Sequence, residues 1–439
     1  MNVMTRPNEV AELTAARVCV LAVAAAVATS TSYVLQPELP IVARDVGSSL
    51  PVIGVVAALP IGGYLFGLAL LVPLADRMRS HRLISGQLSV LAAGLMLAAV
   101  AATPLVLGAG LFVSGLCAST GAQLSSLAGR YSEASRRGRA VGTVTAGISA
   151  GIVLGRVLGG TLAGWWGWRA MLFVFAAACL ALALAAAAIL PRTAIRPTQS
   201  YLTVIRSLPG LLRSSRQLRT SAVAGSLWFF AFSLVWVGLS LALARPPANL
   251  SPARIGVYSL AGLLGVAATR VAGAAADRRG PRVIILSGLA AAVVCTLTMT
   301  GSLHHVPVLL TALAIFDAGL FSAQVANQST VLGIDPARPA QFNGAYMVVY
   351  FIGGSAGTAI GGSLIDLAGW AGIGLTATAA LTVAAVIVLF SGNKSGPTAV
   401  MRYSVTGSGM SSAIWPRTVL CSTGPSSSAS TARRHPARS

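Results

Sequence analysis

The sequence predicts an all-α polytopic membrane protein of twelve transmembrane helices in two pseudo-symmetric six-helix bundles. Three observations predict it. Of 439 residues, 55% are apolar and 9% charged, with a mean hydropathy of +0.78. A water-soluble domain carries about 25% charged residues, so this chain lacks the groups to cover itself in water. Its apolar residues also fall in runs of about 20, the length that crosses a bilayer as helix. Finally, the chain repeats itself: Gly155, Gly159-Gly160, Leu162 and Gly167-Trp168 return 202 residues later as Gly357, Gly361-Gly362, Leu364 and Gly369-Trp370.

Taken in order, the apolar runs predict spans near 17–36, 51–75, 83–103, 105–128, 140–164 and 168–190. The second set lies near 219–243, 254–276, 282–301, 307–331, 341–365 and 369–391. This divides the chain into an N-terminal segment 1–16, a first bundle 17–190, a basic linker 191–218, a second bundle 219–391 and a tail 392–439. The tail is rich in Ser, Thr, Pro and Arg without periodicity and is expected to be disordered. A signal-peptide reading of 17–36 is disfavoured by Glu9 and Glu12 before it and by the eleven apolar runs after it.

The formal charge of +21 would point to nucleic acid in a soluble protein. Its distribution points elsewhere. Of the 31 Lys and Arg, 25 fall on the termini, the linker and alternate loops, against four (Arg44, Arg169, Arg245, Arg254) on the opposite side. By the positive-inside rule both termini are cytoplasmic, and no nucleic-acid partner is expected. The first four cysteines sit in apolar runs without metal-ligand spacing, and His304-His305 alone is too few ligands for a metal.

Glycines four apart share a helix face and admit a second backbone closely. Gly151, Gly155, Gly159 and Gly160 predict such a face in the fifth span, and Gly353, Gly357, Gly361 and Gly362 its counterpart in the eleventh. Two loop motifs repeat likewise: Asp76-Arg77 with Arg82, and Asp277-Arg278 with Arg282. Each Asp follows a helix C-terminus, where the helix dipole disfavours it. Neighbouring cations must hold it, so each motif is a candidate cytoplasmic latch, with topology-setting charge as the simpler reading.

These features together resemble the major facilitator superfamily: the 6+6 repeat, the glycine helices, and Gly273-Ala-Ala-Ala-Asp277-Arg278-Arg279-Gly280-Pro-Arg282 with its weaker copy after the second span. Tyr33-Val-Leu-Gln36-Pro37-Glu38-Leu-Pro40, Arg137-Gly-Arg-Ala-Val-Gly142 and Asn343-Gly-Ala-Tyr346 are similar to the drug/proton-antiporter branch, which includes sugar- and purine-nucleoside-efflux permeases. The resemblance covers residues 20–391. It implies a monomeric plasma-membrane transporter working by alternating access, with a proton gradient as energy source and no cofactor. Departures are Val72 and Arg79 in place of loop glycines, Glu38 in place of an apolar residue, and no arginine in 105–128.

Arg156 stands in mid-span, where a charge costs about 2.5–3.5 kcal/mol on insertion scales. It is expected either to bind an anionic or polar part of a substrate or to partner a buried carboxylate. Asp317, the acid well inside a span, is the first proton-coupling candidate, with pairing to Arg156 or Arg270 as the alternative; Glu38 is the second candidate. Tyr33, Gln36, Trp228, Trp236, Asn327, Gln328, Asn343, Tyr346 and Tyr350 are expected to line the substrate path, and Trp165, Trp166 and Trp168 to form an interfacial belt. Neither a nucleotide-binding motif nor a catalytic grouping is found, so no enzyme is expected. The functional expectation is proton-coupled efflux of a small organic molecule such as a drug, nucleoside or sugar. Uptake or uniport by the same fold and a non-transporting membrane sensor are the alternatives.

Overall fold

The computed structural model describes residues 13–133, 135–191 and 201–391. Most of segment 1–16, residues 192–200 of the linker, the whole tail 392–439 and the side chain of Asp76 lie outside the described residues. Every regular element that is described is helical: α1 (Ala15–Ser30), α2 (Leu39–Asp45), α3 (Leu50–Leu70), α4 (Ser80–Ala99), α5 (Pro104–Ala118), α6 (Thr120–Arg130) and α7 (Arg137–Ile189). After α8 in the linker (Tyr201–Ser214) come α9 (Arg216–Leu243), α10 (Pro252–Tyr258), α11 (Leu263–Arg279), α12 (Pro281–Gly301), α13 (Val306–Leu332) and α14 (Pro339–Phe390).

Among the described residues nine helical stretches are long and apolar enough to cross a membrane. Two of them, α7 and α14, each contain two helices joined at a kink, at Gly167 (φ 81°) and Gly369 (φ 61°). Only glycine adopts that conformation without steric cost, which is why the repeated Gly-Trp pair marks both turns. With α1, continued by a 3-10 turn and α2, the spans number twelve, six per half. Hydropathy does not reveal the internal breaks at Thr31–Leu35, at Ser119 and at the 3-10 turn Ser259–Gly262.

The glycine rows serve two contacts. In α7, added methyl groups at Gly151, Gly155 and Gly159 would press into the backbone of Ala26, Ser30 and Val34 on or just past α1, at 2.8 Å from the Ser30 oxygen in the case of Gly155. In α14, Gly353 and Gly357 press likewise on Ser226 and Phe230 of α9, and Gly361 on Val237. These rows therefore grip helices of their own half. Gly160 and Gly362 point the other way. They meet Pro252 and Leu50, each in the opposite half, and Gly256 and Gly54 complete the symmetric pair, with methyls that would lie 2.6 Å from the Arg156 oxygen and 2.9 Å from the Ala359 oxygen. Of the glycines in the two rows, Gly160 and Gly362, joined by Gly54 and Gly256, are the ones that stand between the halves. All lie toward the end of the bundle remote from the start of α1 and the end of α14, where the halves are closed on each other.

That remote end is tied within each half by polar contacts. Trp168, expected in an interfacial belt, is buried instead, and its indole donates to Asp45 (2.8 Å), which also accepts from Arg169 (3.2 Å). Trp165 and Trp166 stay exposed. In the second half Arg245 pairs with Asp366. The Asp45–Arg169 pair is about 40% exposed on both sides, a setting worth ~0–1 kcal/mol, whereas a buried N–H stripped of its acceptor costs about 1–3 kcal/mol. Asp45→Ala is therefore expected to destabilise more than Arg169→Ala in detergent unfolding. The reverse ranking would show that the ion pair stabilises this end more than the Trp168 bond does.

Candidate functional site

A group of buried polar contacts lies where the two halves meet. Arg156 of α7 is 2% exposed, and its Nε donates to Gln36 Oε1 at 2.6 Å. Three rings surround the guanidinium: Trp236 at 4.5 Å, Tyr33 at 4.9 Å and Phe232 at 5.4 Å from its carbon. Such contacts offset part of the cost of burying a cation. Gln36 and Tyr33 come from the first half, Trp236 and Phe232 from the second, so one cation is held by both. Its Nη2 is buried without a hydrogen-bond partner among the described residues.

Asp317 of α13 is 1% exposed and accepts from Trp236 Nε1 at 3.2 Å. Neither expected ion pair is made: no Arg156–Asp317 contact within 4 Å occurs among the described residues, and Arg270 is exposed on α11. Arg156 still acts on Asp317 electrostatically, with the Trp236 indole as the bridge. Gly262 and Gly265 leave room for the carboxylate: a methyl at Gly262 would sit 2.7 Å from Oδ2. Glu38 is 1% exposed at the closed remote end, and its Oε1 has no partner among the described residues.

The remaining path candidates are packed together in this conformation instead of lining an open cavity. Tyr346 is fully buried, donates to Gln324 Oε1 (2.6 Å) and stands beside Tyr350. Tyr350 stacks on Phe229 at 4.4 Å, and Phe351 on Tyr64 of the other half at 4.6 Å. Trp228 is buried on the same helix as Trp236. Asn327 donates to the Ser221 oxygen and Gln328 to Asn343, which makes these three helix-to-helix ties. Sequence reasoning missed Phe232, Tyr64 and Gln324, and also Gln123, buried with neither amide atom partnered among the described residues.

The latch in the second half is not made as expected. Asp277 is exposed and has no ion pair among the described residues. Arg282 donates to the Leu389 carbonyl at the C-terminal end of α14, where a cation suits the helix dipole. Arg278 and Arg82 are exposed, and Arg77 is engaged. Across the next loop, the side-chain bond from Arg338 and then the Ala337 N–H hold the Asp335 carboxyl below the usual range.

A family model described as Major Facilitator Superfamily matches residues 21–358. The chain belongs to that superfamily. Its relatives include the uncharacterized transporter YgaY of Escherichia coli O157:H7, 31% identical over 386 residues, covering 88% of this chain and 97% of that one. Among solved structures, the human organic anion transporter MFSD10 is similar with a TM-score of 0.63 at 17% identity, covering 84% of this chain and 98% of that chain. A bacterial homolog of the human lysosomal transporter Spinster, in an inward-facing and unoccupied conformation, gives 0.67 at 14% identity, covering 87% and 97%. These likenesses establish the superfamily fold. A multi-pass membrane transporter of this superfamily moves a small molecule and is not an enzyme.

Proposed function

We propose that the chain is a proton-coupled secondary transporter that exports a small organic molecule by alternating access, with Arg156 and Asp317 at its centre. The observation that carries the reading is the Gln36–Arg156–Trp236–Asp317 chain, which joins a buried cation of one half to a buried acid of the other. Rocking the halves must remake that chain, so the charge on Asp317 and the conformation are coupled. With both termini cytoplasmic in the plasma membrane, as the arginine distribution favours, the closed remote end is external. Glu38, buried there, is the second proton candidate. The Asp76 and Asp277 loops would close the cytoplasmic side in the opposite state. The working unit is a monomer, with no cofactor beyond the proton gradient. Export itself is supported by the resemblance noted in the sequence.

The test is proton flux in liposomes containing purified protein under an imposed pH gradient, with drugs, nucleosides, sugars and organic acids as candidates. Asp317→Asn is expected to abolish substrate-dependent proton movement. Undiminished proton movement in Asp317→Asn would remove its role, and substrate flux without protons would make the protein a uniporter.

A further inference from the structure

The centre holds one fixed cation and one fixed acid, and the cation has a donor to spare. Arg156 Nη2 is buried and has no partner among the described residues, on a residue that is only 2% exposed. Buried donors are almost always paired, and guanidinium is shaped to receive a carboxylate. Its surroundings are rings: Tyr33, Phe232 and Trp236 against the guanidinium, Phe321 against Phe232 at 5.9 Å, and the Phe229–Tyr350 stack beyond. We infer that the transported molecule is a planar aromatic monocarboxylate, bound through Arg156 Nη2 with its ring among these aromatics, and that it moves together with one proton carried by Asp317. This rests on the transport reading above, names its substrate class, and replaces the proton gradient as driving force with the gradient of the acid itself.

Charge balance is what requires the proton. Arg156 is the charged group that faces Asp317. The other elements against Asp317 offer Trp236 from α9 and the bare backbone of Gly262 and Gly265, with Val153 of α7 beside Gly262. From α12, Gly288 packs on Gly319, two residues along α13, and neither α12 nor α14 brings a charged side chain to Asp317 among the described residues. An arriving carboxylate would place two negative charges beside one positive one in a low dielectric, which is strongly unfavourable. A proton from water, taken onto the Asp317 carboxylate, restores neutrality, and Trp236 can keep its bond to the carbonyl oxygen. Anion and proton are thus bound and released together. A cell that makes such an acid can expel it electroneutrally down the acid's own gradient. Exchange of substrate for proton, which the resemblance implied, is not the coupling this charge balance favours.

The test is equilibrium binding of benzoate to purified full-length protein in detergent, followed by calorimetry in two buffers of different ionisation enthalpy. Benzamide, cyclohexanecarboxylate and acetate are the comparison probes. Expected are uptake of close to one proton per benzoate, affinity falling about tenfold per pH unit on the alkaline side, and weaker binding of cyclohexanecarboxylate and acetate. Asp317→Asn should bind benzoate with no proton uptake and little pH dependence, and Arg156→Gln should not bind it. Equal binding of benzamide, unchanged proton uptake in Asp317→Asn, or no binding of benzoate by the wild type would overturn the inference. Because no membrane gradient is used, the two readings fail separately. Benzoate binding with proton uptake but no flux in liposomes would sink the transport reading alone. Proton-coupled flux of neutral molecules only would sink the anion alone.

Discussion

Gly160→Leu and Gly362→Leu are expected to yield folded protein whose transport falls more than tenfold because the remote end cannot close. The added side chains would meet the backbones of Pro252 and Leu50, which belong to the opposite half and cannot step aside as a flexible side chain would. The halves, however, can part as rigid bodies, which a membrane transporter must do in any case. Overpacking costs about 1–3 kcal/mol. Applied to one of two states separated by a few kcal/mol, that penalty changes the population ratio by roughly 5- to 150-fold. Gly159→Leu is the control. It meets Val34 within its own half, where no rigid-body motion relieves it, and is expected to lower the yield of folded protein. The measurement is maleimide labelling of Ser259→Cys in a chain stripped of its five cysteines. Ser259 is 1% exposed on the turn that packs against α7 of the other half. Labelling should quicken more than tenfold in Gly160→Leu and Gly362→Leu. Unchanged labelling with lost transport would mean that these glycines do not gate the remote end.

The difference between Gly159 and Gly160 shows how far the chain could be read without coordinates. Hydropathy and the 202-residue repeat place the helices to within a few residues, because a bilayer demands length and apolarity and leaves little choice. The glycine period identifies a close-packed face. It cannot say which neighbour lies against that face, since adjacent glycines on one turn point about 100° apart and serve different halves. Arg156 and Asp317 were readable as costly residues that must have partners. Their link through Trp236 was not, because a tryptophan in an apolar run carries no mark of the acid it will meet. The same blindness misplaced Trp168, whose neighbours in sequence are exposed while it bonds Asp45. Tyr64 and Gln123 went unread for a plainer reason: one polar or aromatic residue among many apolar ones has no periodicity to betray its facing.

Arg156→Gln and Asp317→Asn are expected to be destabilising singly and largely compensatory together. Removing one member of a buried charge pair costs about 3–5 kcal/mol, because the survivor stays buried without compensation. Here the charges are bridged by an indole and not in direct contact, so each single loss is expected to fall below that range, at about 1–2 kcal/mol. The two singles should also be unequal. A stranded carboxyl can escape by taking a proton, whereas a guanidinium cannot shed one at physiological pH. Asp317→Asn is therefore the more destabilising at neutral pH, although Asn still offers Trp236 an acceptor. The double variant Arg156→Gln/Asp317→Asn carries no charge at the centre and should recover most of the loss, with a coupling energy of about 1–3 kcal/mol. Thermal unfolding of the four proteins in one detergent measures the cycle. Additive losses would mean that the two residues are stabilised independently and that Trp236 transmits nothing between them. The double variant separates stability from coupling as well. Its fold is expected to stand near that of the wild type, while anion binding and proton movement are both absent. A stable double variant that still moved protons would place the coupling site elsewhere, with Glu38 the next residue to change.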